Sequence, residues 1–341
     1  MEINKEDHIL VTGGAGFIGS NFLRKLVELG YSKIISVDAL TYAGYSENIP
    51  AAVTHRYTGR IEDAAFLNSI GSDIRNQGIK VKAVVNFAAE SHVDRSIDDG
   101  MVFIKSNVLG VGQLLEFATR HEIQKFIQVG TDEVYGDVVE GASKESDILK
   151  PSSPYSASKA AGDLLALSYS RTHNLTVIVS RCSNNYGPFQ TPEKYIPRII
   201  LKALDNEDIP IYGDGNQVRE WIHVTDHVGA LIRILETELP TQILNIGNDN
   251  LLTNLEVANL VLRLTNSESK IKFVNDRPGH DRRYHLDSKK IANTLSWRAE
   301  KDFSSGLQET IQWILNHRET WIGLSKNNIS TIESFYGTKS K

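Results

Sequence analysis

The chain has 341 residues, 40% of them apolar and 23% charged, enough material and the right balance for a sizeable buried core in two lobes or one extended α/β unit. A formal net charge of −5 excludes the basic face of a general nucleic-acid binder, although a few local donors suffice for a small anionic ligand. Cys182 is the only cysteine, which excludes an internal disulfide, and no apolar run reaches the roughly 20 residues of a membrane span.

The N-terminal Met1 to Asp7 stretch is polar and partly acidic, so no signal peptide is expected and the protein reads as cytoplasmic, without a membrane partner. Short apolar runs at His8–Thr12, Lys33–Val37, Val81–Phe87, Lys125–Val129 and Leu175–Ser180 predict strands. Between them, Ile18–Leu29 and Val102–Arg120 have helical apolar spacing. This alternation predicts a parallel sheet with helices on both faces, and near-continuous apolar strands fit a sheet buried on both sides. Cys182, beside Arg181 in the segment after the fifth run, reads as a small packing residue in preference to a reactive thiol. Beyond Asn184 the rhythm changes. Pro188, Pro192, Pro197 and Pro210 punctuate the chain, Tyr212-Gly213-Asp214-Gly215 marks a turn, and helices are expected over Asp226–Glu236 and Asn254–Leu264. Arg277-Pro278-Gly279-His280 reads as an ordered loop, and the polar stretch from Asn327 to Lys341 as loosely held.

Thr12-Gly13-Gly14-Ala15-Gly16-Phe17-Ile18-Gly19 joins the first strand to the first helix. There Gly13 permits a tight turn, Gly16 lets the backbone approach a pyrophosphate, and Gly19 lets helix and strand pack closely. The helix N-terminus then offers N–H groups to phosphate. Asp38 ends the second strand, where a carboxylate accepts hydrogen bonds from ribose hydroxyls, and the following Ala39-Leu40-Thr41 supplies no Arg for a 2′-phosphate. The cofactor expected is therefore NAD, bound in residues 1–183 by a Rossmann-type doubly wound parallel sheet. Residues 184–330 are expected to form mainly a smaller α/β substrate-binding lobe, with 331–341 a tail. No metal site is expected.

Tyr155 and Lys159 lie four apart behind Pro154, which can start a helix, so both share one helical face. An ammonium beside the phenol would lower the phenol pKa and make Tyr155 a base for a sugar hydroxyl. Upstream, Gly130-Thr131-Asp132-Glu133-Val134-Tyr135-Gly136 sets two adjacent carboxyls at the carboxyl end of a strand, where ligands bind in open α/β sheets.

Taken together, the glycine turn, Asp38, T-D-E-V-Y-G and Y-S-A-S-K resemble the extended short-chain dehydrogenase/reductases. More narrowly they resemble the sugar-nucleotide 4,6-dehydratases that act on dTDP-glucose. Ala88 to Ser96 (AAESHVDRS), Asn184 to Pro188 (NNYGP), Pro192 to Lys194, Tyr212 to Gly215 and Asp276 to Tyr284 add to the likeness, which covers roughly residues 8 to 320. It implies conversion of dTDP-glucose to dTDP-4-keto-6-deoxy-glucose by C4 oxidation, loss of water across C5/C6 and return of the hydride to C6. Tyr155 would take the O4 proton, with Lys159 and Thr131 supporting it. Glu133 would take the C5 proton, and Asp132, protonated at the start, would release the C6 hydroxyl as water. Two neighbouring carboxyls resist double ionisation, which suits those opposite states.

The resemblance also implies that Phe17, Ile18, Ala39, Leu40, Thr41, Arg60, Ile61, Phe87, Ala88, Ala89, Ser106 and Asn185 border NAD, with Glu90 and Ser91 at the sugar side. Asn184, Lys194, Tyr195, Pro210, Tyr212, Arg219, Asn245, Arg277 and His280 would hold the nucleotide diphosphate of a nucleotide-diphospho-hexose. A homodimer is implied as well. The sequence departs from the pattern at Arg60, where an adenine-touching aspartate is usual, and at Gly130, which replaces a serine. The stretch from Tyr135 to Tyr155 is also shorter than in some relatives. The competing readings on the same scaffold are a UDP-sugar 4,6-dehydratase, a 4-epimerase and a decarboxylase. The last two use Tyr155, Lys159 and NAD but do not need both Asp132 and Glu133.

Overall fold

In a computed structural model of the chain, residues 2–337 are described, with side-chain surroundings through residue 323. Strands β1 (His8–Thr12), β2 (Ile34–Asp38), β3 (His55–Thr58), β4 (Val81–Asn86), β5 (Lys125–Thr131) and β6 (Thr176–Cys182) belong to one sheet. Its order is β10-β6-β5-β4-β1-β2-β3, where β10 is Gln242–Ile246, and every pairing is parallel. Alternate side chains serve opposite faces. Ile9, Val11, Ala83, Val85 and Ile127 pack on one side with helices α1 (Phe17–Glu28) and, from far along the chain, Val224–Glu236. Leu10, Val84, Phe126, Val177 and Val179 pack on the other with α2 (Ala64–Asn76) and the helix Val111–Arg120. Both faces being covered explains why the strands read as unbroken apolar runs.

After α3 (Val93–Asp98) and α4 (Gly100–Ile104), residues Lys105–Gly110 form a π-helical turn that leads into α5 (Val111–Arg120). Helix α6 (Pro154–Thr172) starts where expected: Pro154 sits in its first turn, and Ser153 and Ser156 form a capping box. The second lobe has a sheet of β11 (Leu251–Thr253), β9 (Val218–His223) and β7 (Asn184–Tyr186), and a parallel pair of β8 (Ile209–Tyr212) with β12 (Ile271–Val274). These strands pack with α7 (Tyr195–Leu204), α9 (Asn254–Thr265) and α11 (Phe303–Gly337) around Tyr186, Ile196, Trp221 and Leu307. Helix α8 is Val224–Glu236, and the short α10 (Lys289–Leu295) lies against β10.

Several expectations need correction. The division at residue 183 is crossed by the sheet itself, because β10 pairs with β6 and α8 packs on α1. Strand β3 was not expected. It is a four-residue edge strand whose side chains alternate between partly buried and exposed, so it carries no apolar run. The stretch from Asn327 is not patternless coil up to Gly337, since its backbone continues α11, while residues 338–341 of the expected tail lie outside the described residues. Among the described residues, the helical stretch Gly100–Arg120 is long and apolar enough to cross a membrane by length and composition. Half of its apolar window is buried inside the protein.

Lys125 fastens the crossing. It is wholly buried on β5, and its Nζ donates to the carbonyls of Ile234, Leu235 and Thr237 at 3.0, 2.8 and 2.7 Å. A cation there also meets the negative end of the α8 dipole. Lys125→Met strands these carbonyls and is expected to cost about 3 kcal/mol of stability. A urea unfolding midpoint unchanged by the substitution would show that the clamp contributes nothing.

Candidate active site

The turn after β1 is shaped by what a side chain would strike. Gly13 has φ +68°, and a Cβ on it would lie 2.7 Å from the backbone of Phe87 and Ala88, while one on Gly19 would run into the Gly13 carbonyl. The turn therefore lies flush against the end of β4. Gly16 caps α1 without a side-chain hydrogen bond, so the N–H groups of the first turn face the cavity with no capping oxygen. Asp38 fixes the turn as well as facing the cavity. Its Oδ2 accepts from Ala15 N at 2.9 Å and its Oδ1 from Leu40 N at 2.8 Å. One continuous cavity is walled by Gly13, Gly16, Phe17, Ile18, Gly19, Asp38, Ala39 and Thr41, by Arg60, Ile61, Phe87, Ala88, Ala89 and Ser91, and by Ser106, Asn184, Asn185 and Lys194. Leu40 is absent from that wall. It takes a left-handed φ of +49° and its side chain is exposed. Arg60 is on the wall, paired with Glu62 at 3.2 Å.

At the other end of the same cavity β5 delivers Thr131 into a 3-10 turn, Asp132–Tyr135. Thr131 Oγ donates to Asp132 Oδ1 at 3.2 Å and accepts from Glu133 N at 3.3 Å. Gly136, at φ +75°, closes the turn where a Cβ would strike the Lys150 carbonyl. Asp132 is 3% exposed, and its Oδ2 has no hydrogen-bond partner. Burial first, then Glu133 and Glu220, push its carboxyl well above the usual range. Burial also raises Glu133, but Arg277, Arg219 and Lys194 pull it back down. The two acids are thereby set apart: both are raised, Asp132 well above its ordinary range and Glu133 against the pull of three cations.

Tyr155 and Lys159 both line the cavity from α6. The expected lowering of the phenol by the ammonium is not what the geometry gives. Burial, then Glu133, raise Tyr155 well above its ordinary value, while Lys159 Nζ donates to the Val129 carbonyl at 2.6 Å. Cys182 faces the same cavity but is a protonated thiol, pushed by burial up to about 12.

The second lobe brings up the cations. Lys194 Nζ donates to the Ser91 carbonyl at 2.8 Å. Arg277 Nη1 pairs with Asp94 at 3.1 Å, its Nε buried without an acceptor. Arg219 donates to the Asp281 carbonyl at 2.9 Å, with its guanidinium 4.4 Å over the Tyr284 ring. His280 sits edge-on to Tyr212 and 2.6 Å from Asp276, its side chain 5% exposed. Burial, then Arg277, lower it to about 4. Three expected ligand residues are placed otherwise. The Asn245 amide is consumed by Tyr135 Oη and the Ser143 carbonyl, the Tyr195 hydroxyl by the Asn254 carbonyl, and Pro210 is a strand residue paired with Lys272. Ser183, Gln190 and Thr191 wall the cavity although the sequence reading passed over them; they adjoin or follow N-N-Y-G-P, which was the available signal.

Buried atoms on this wall without protein partners include Ser183 Oγ, Asn184 Oδ1, Gln190 Oε1, Glu90 Oε2 and Asp132 Oδ2. That demand fits a long polar ligand, and with the glycine turn and Asp38 it fits a dinucleotide next to a sugar. Away from it, Glu220, Asp249 and His285 bring potential metal-ligand atoms within 4.8 Å of one another. Glu220 already accepts from the N–H groups of Asn248, Asp249 and Leu286.

Comparison with known proteins agrees with this geometry. Residues 10–310 match the family described as GDP-mannose 4,6 dehydratase. A dTDP-glucose 4,6-dehydratase of Streptomyces griseus is 45% identical over 92% of this chain and 96% of its own. A low-salt glycan biosynthesis protein of Haloferax volcanii is 43% identical over 91% and 99%. The crystal structure of a Streptomyces venezuelae dTDP-glucose 4,6-dehydratase with NAD bound superposes with a TM-score of 0.87 at 42% identity, covering 93% of this chain and 99% of that one.

Gly13→Ala combines a left-handed φ with a backbone clash. It is expected to weaken NAD binding by more than about tenfold. Calorimetric titration of the stripped protein checks this, and unaltered affinity would mean that the turn does not hold the cofactor.

Proposed function

This chain belongs to the GDP-mannose 4,6-dehydratase family, and we propose that it removes water from dTDP-glucose, leaving dTDP-4-keto-6-deoxy-glucose, with NAD as its cofactor. The observation that carries this reading is the unequal acid pair: Asp132 is pushed up by burial and by Glu133 and Glu220 against the pull of Arg219, whereas Glu133 is faced by Arg277, Arg219 and Lys194. Neither epimerisation nor decarboxylation needs that pair.

The residues divide the work as follows. Tyr155 takes the proton from O4 of the sugar, in a site where Thr131 Oγ and Lys159 line the same wall. NAD, which the Gly13–Gly19 turn and Asp38 would hold, would supply the hydride acceptor for C4 and the hydride donor for C6. Glu133 removes the C5 proton, made acidic by the neighbouring ketone, and later gives it back to C5. Asp132 protonates the C6 hydroxyl, which departs as water. The balance leaves one extra proton on Tyr155 and one too few on Asp132. Thr131 Oγ, bonded to Asp132, lies on the route by which that proton returns. Lys194, Arg219 and Arg277 hold the diphosphate, since cationic forks and ammonium groups suit phosphate oxygens.

A homodimer in the cytoplasm completes the reading. Met101, Ile104 and Leu109 on the stretch from α4 to α5, and Leu164 on the packed neighbour α6, are large apolar side chains left 47–58% exposed. A second copy laid on these helices would cover them.

With dTDP-glucose, mass spectrometry is expected to show loss of one water, and a product of unchanged mass with NAD in place would overturn the dehydratase reading. Asp132→Asn is expected to lower kcat by about 10²–10⁴-fold. C4 oxidation should survive in that variant, so reduced nicotinamide accumulates in the near-ultraviolet spectrum. The wild-type rate should fall as pH drops through the Glu133 pKa, which must be ionised, and again as pH rises through those of Asp132 and Lys159, which must both be protonated. Glu133→Gln abolishes turnover, so the acidic limb is read on the wild type. Met101→Lys with Leu164→Glu is expected to give monomers in sedimentation velocity, and an unaltered sedimentation coefficient would place the interface elsewhere.

A further inference from the structure

Lys159 does not stand alone on α6. Four residues on, on the same helical face, Asp163 is wholly buried. Its Oδ2 accepts from Arg181 Nε at 3.0 Å, and neither side chain is more than 2% exposed. Arg181 Nη1 donates to Tyr135 Oη at 2.9 Å, with the guanidinium 4.9 Å over the Tyr135 ring. Tyr135 Oη donates in turn to Asn245 Oδ1 at 2.8 Å, and Asn245 Nδ2 to the Ser143 carbonyl at 2.9 Å. Tyr135 is the last residue of the turn that starts with Asp132. A continuous buried chain therefore runs from the helix face that carries Lys159 to the turn that carries the acid pair.

Asp163 Oδ1 is buried and has no hydrogen-bond partner. The room for it comes from Gly130, where a Cβ would sit 3.2 Å from both carboxylate oxygens and 3.0 Å from the Ser180 carbonyl. Stability does not call for such a pair. Buried ion pairs are often replaceable by apolar residues at no cost, whereas an unmet charged oxygen is costly. The charge itself is what an apolar replacement would lack.

We propose that Asp163 is a positioning residue of the active site, forming with Arg181 a buried charge pair that keeps Lys159 an ammonium and locks the acid-pair turn through Tyr135. The inference rests on the reading that Lys159 serves the dehydration. Burial pushes the Lys159 ammonium down, and the Asp163 carboxylate raises it again. Arg181 and Lys159 both draw on that one carboxylate. The other titratable groups around Lys159 are Tyr155 on the same helix, Cys182 on β6, and Asp132 and Glu133 on the turn after β5. The π-helical turn presents uncharged Ser106 and Asn107. On α3, Asp94 is committed to Arg277, and on α5, Glu116 meets Tyr169 toward the far end of α6.

The test compares two substitutions that break the same ion pair with opposite charge. For the holoenzyme acting on dTDP-glucose, Asp163→Asn should move the alkaline limb of kcat/KM down by about one pH unit or more, and Arg181→Met should move it up. The pH at which bound NAD is released should change in the same order. A merely structural role would move both variants together. If Asp163→Asn does not fold, Arg181→Met and Asp163→Glu decide, the first expected above wild type and the second close to it. Limbs that coincide with wild type, or shift in one direction, overturn the proposal. A wild-type protein that leaves dTDP-glucose intact would instead overturn the functional reading, and the NAD-release order would still test Asp163.

Discussion

Two carboxyl groups stand side by side at the end of β5, in a place where water cannot keep both ionised. The site depends on how that conflict is resolved. Burial, Glu133 and Glu220 outweigh the pull of Arg219 on Asp132 and favour its protonated form. Glu133 is matched by Lys194, Arg219 and Arg277, all of which come from beyond residue 183. The acid that must begin neutral and the one that must begin charged are thus separated by the charges the second lobe sets against each, Glu220 with Arg219 on Asp132 and three cations on Glu133. The chemistry is complete only when the second lobe lies against the sheet.

That requirement explains why the chain does not divide cleanly. β10 and α8 return to the sheet after the second lobe has begun, and Lys125 ties the end of α8 to β5. The strand that presents the acid pair is therefore gripped by the segment that links the two lobes. Displacing α8 would leave Lys125 a buried cation without acceptors, so the junction resists loosening. The cations of the second lobe then reach Glu133 from a fixed direction, without a new clamp for each arginine.

Much of this was legible beforehand. The five apolar runs all became neighbouring strands of one sheet, because burial on both faces leaves an unmistakable pattern. The glycine turn was legible because Gly13 and Gly19 answer backbone clashes that the tight turn forces. β3 was not, since an edge strand of His55, Arg56, Tyr57 and Thr58 carries no apolar signal. The end of α11 was hidden for another reason. Its apolar residues Leu307, Ile311 and Ile314 lie early in the helix, and once a helix is nucleated each further residue adds a bond at little cost whatever its polarity. Tyr155 and Lys159 were found by spacing, but spacing cannot tell that the ammonium reaches a strand carbonyl, nor that Asn245 has spent its amide on Tyr135.

The charges of the site form two groups with different rules. In the acid pair two potential anions share one set of external cations, so one is silenced. Around α6 two cations, Lys159 and Arg181, share one anion, Asp163, so neither is silenced but each depends on it. The groups touch at the turn Asp132–Tyr135, whose first residue is the silenced acid and whose last accepts from Arg181. A change of charge in one group therefore acts on the other through a single rigid turn and through the low dielectric between them. Gly130, near the end of β5 and two residues before that turn, is where the two meet most closely, since a side chain there would press on the Asp163 carboxylate just before Thr131. An absent side chain in the strand thus bears on the chemistry as directly as the groups that perform it.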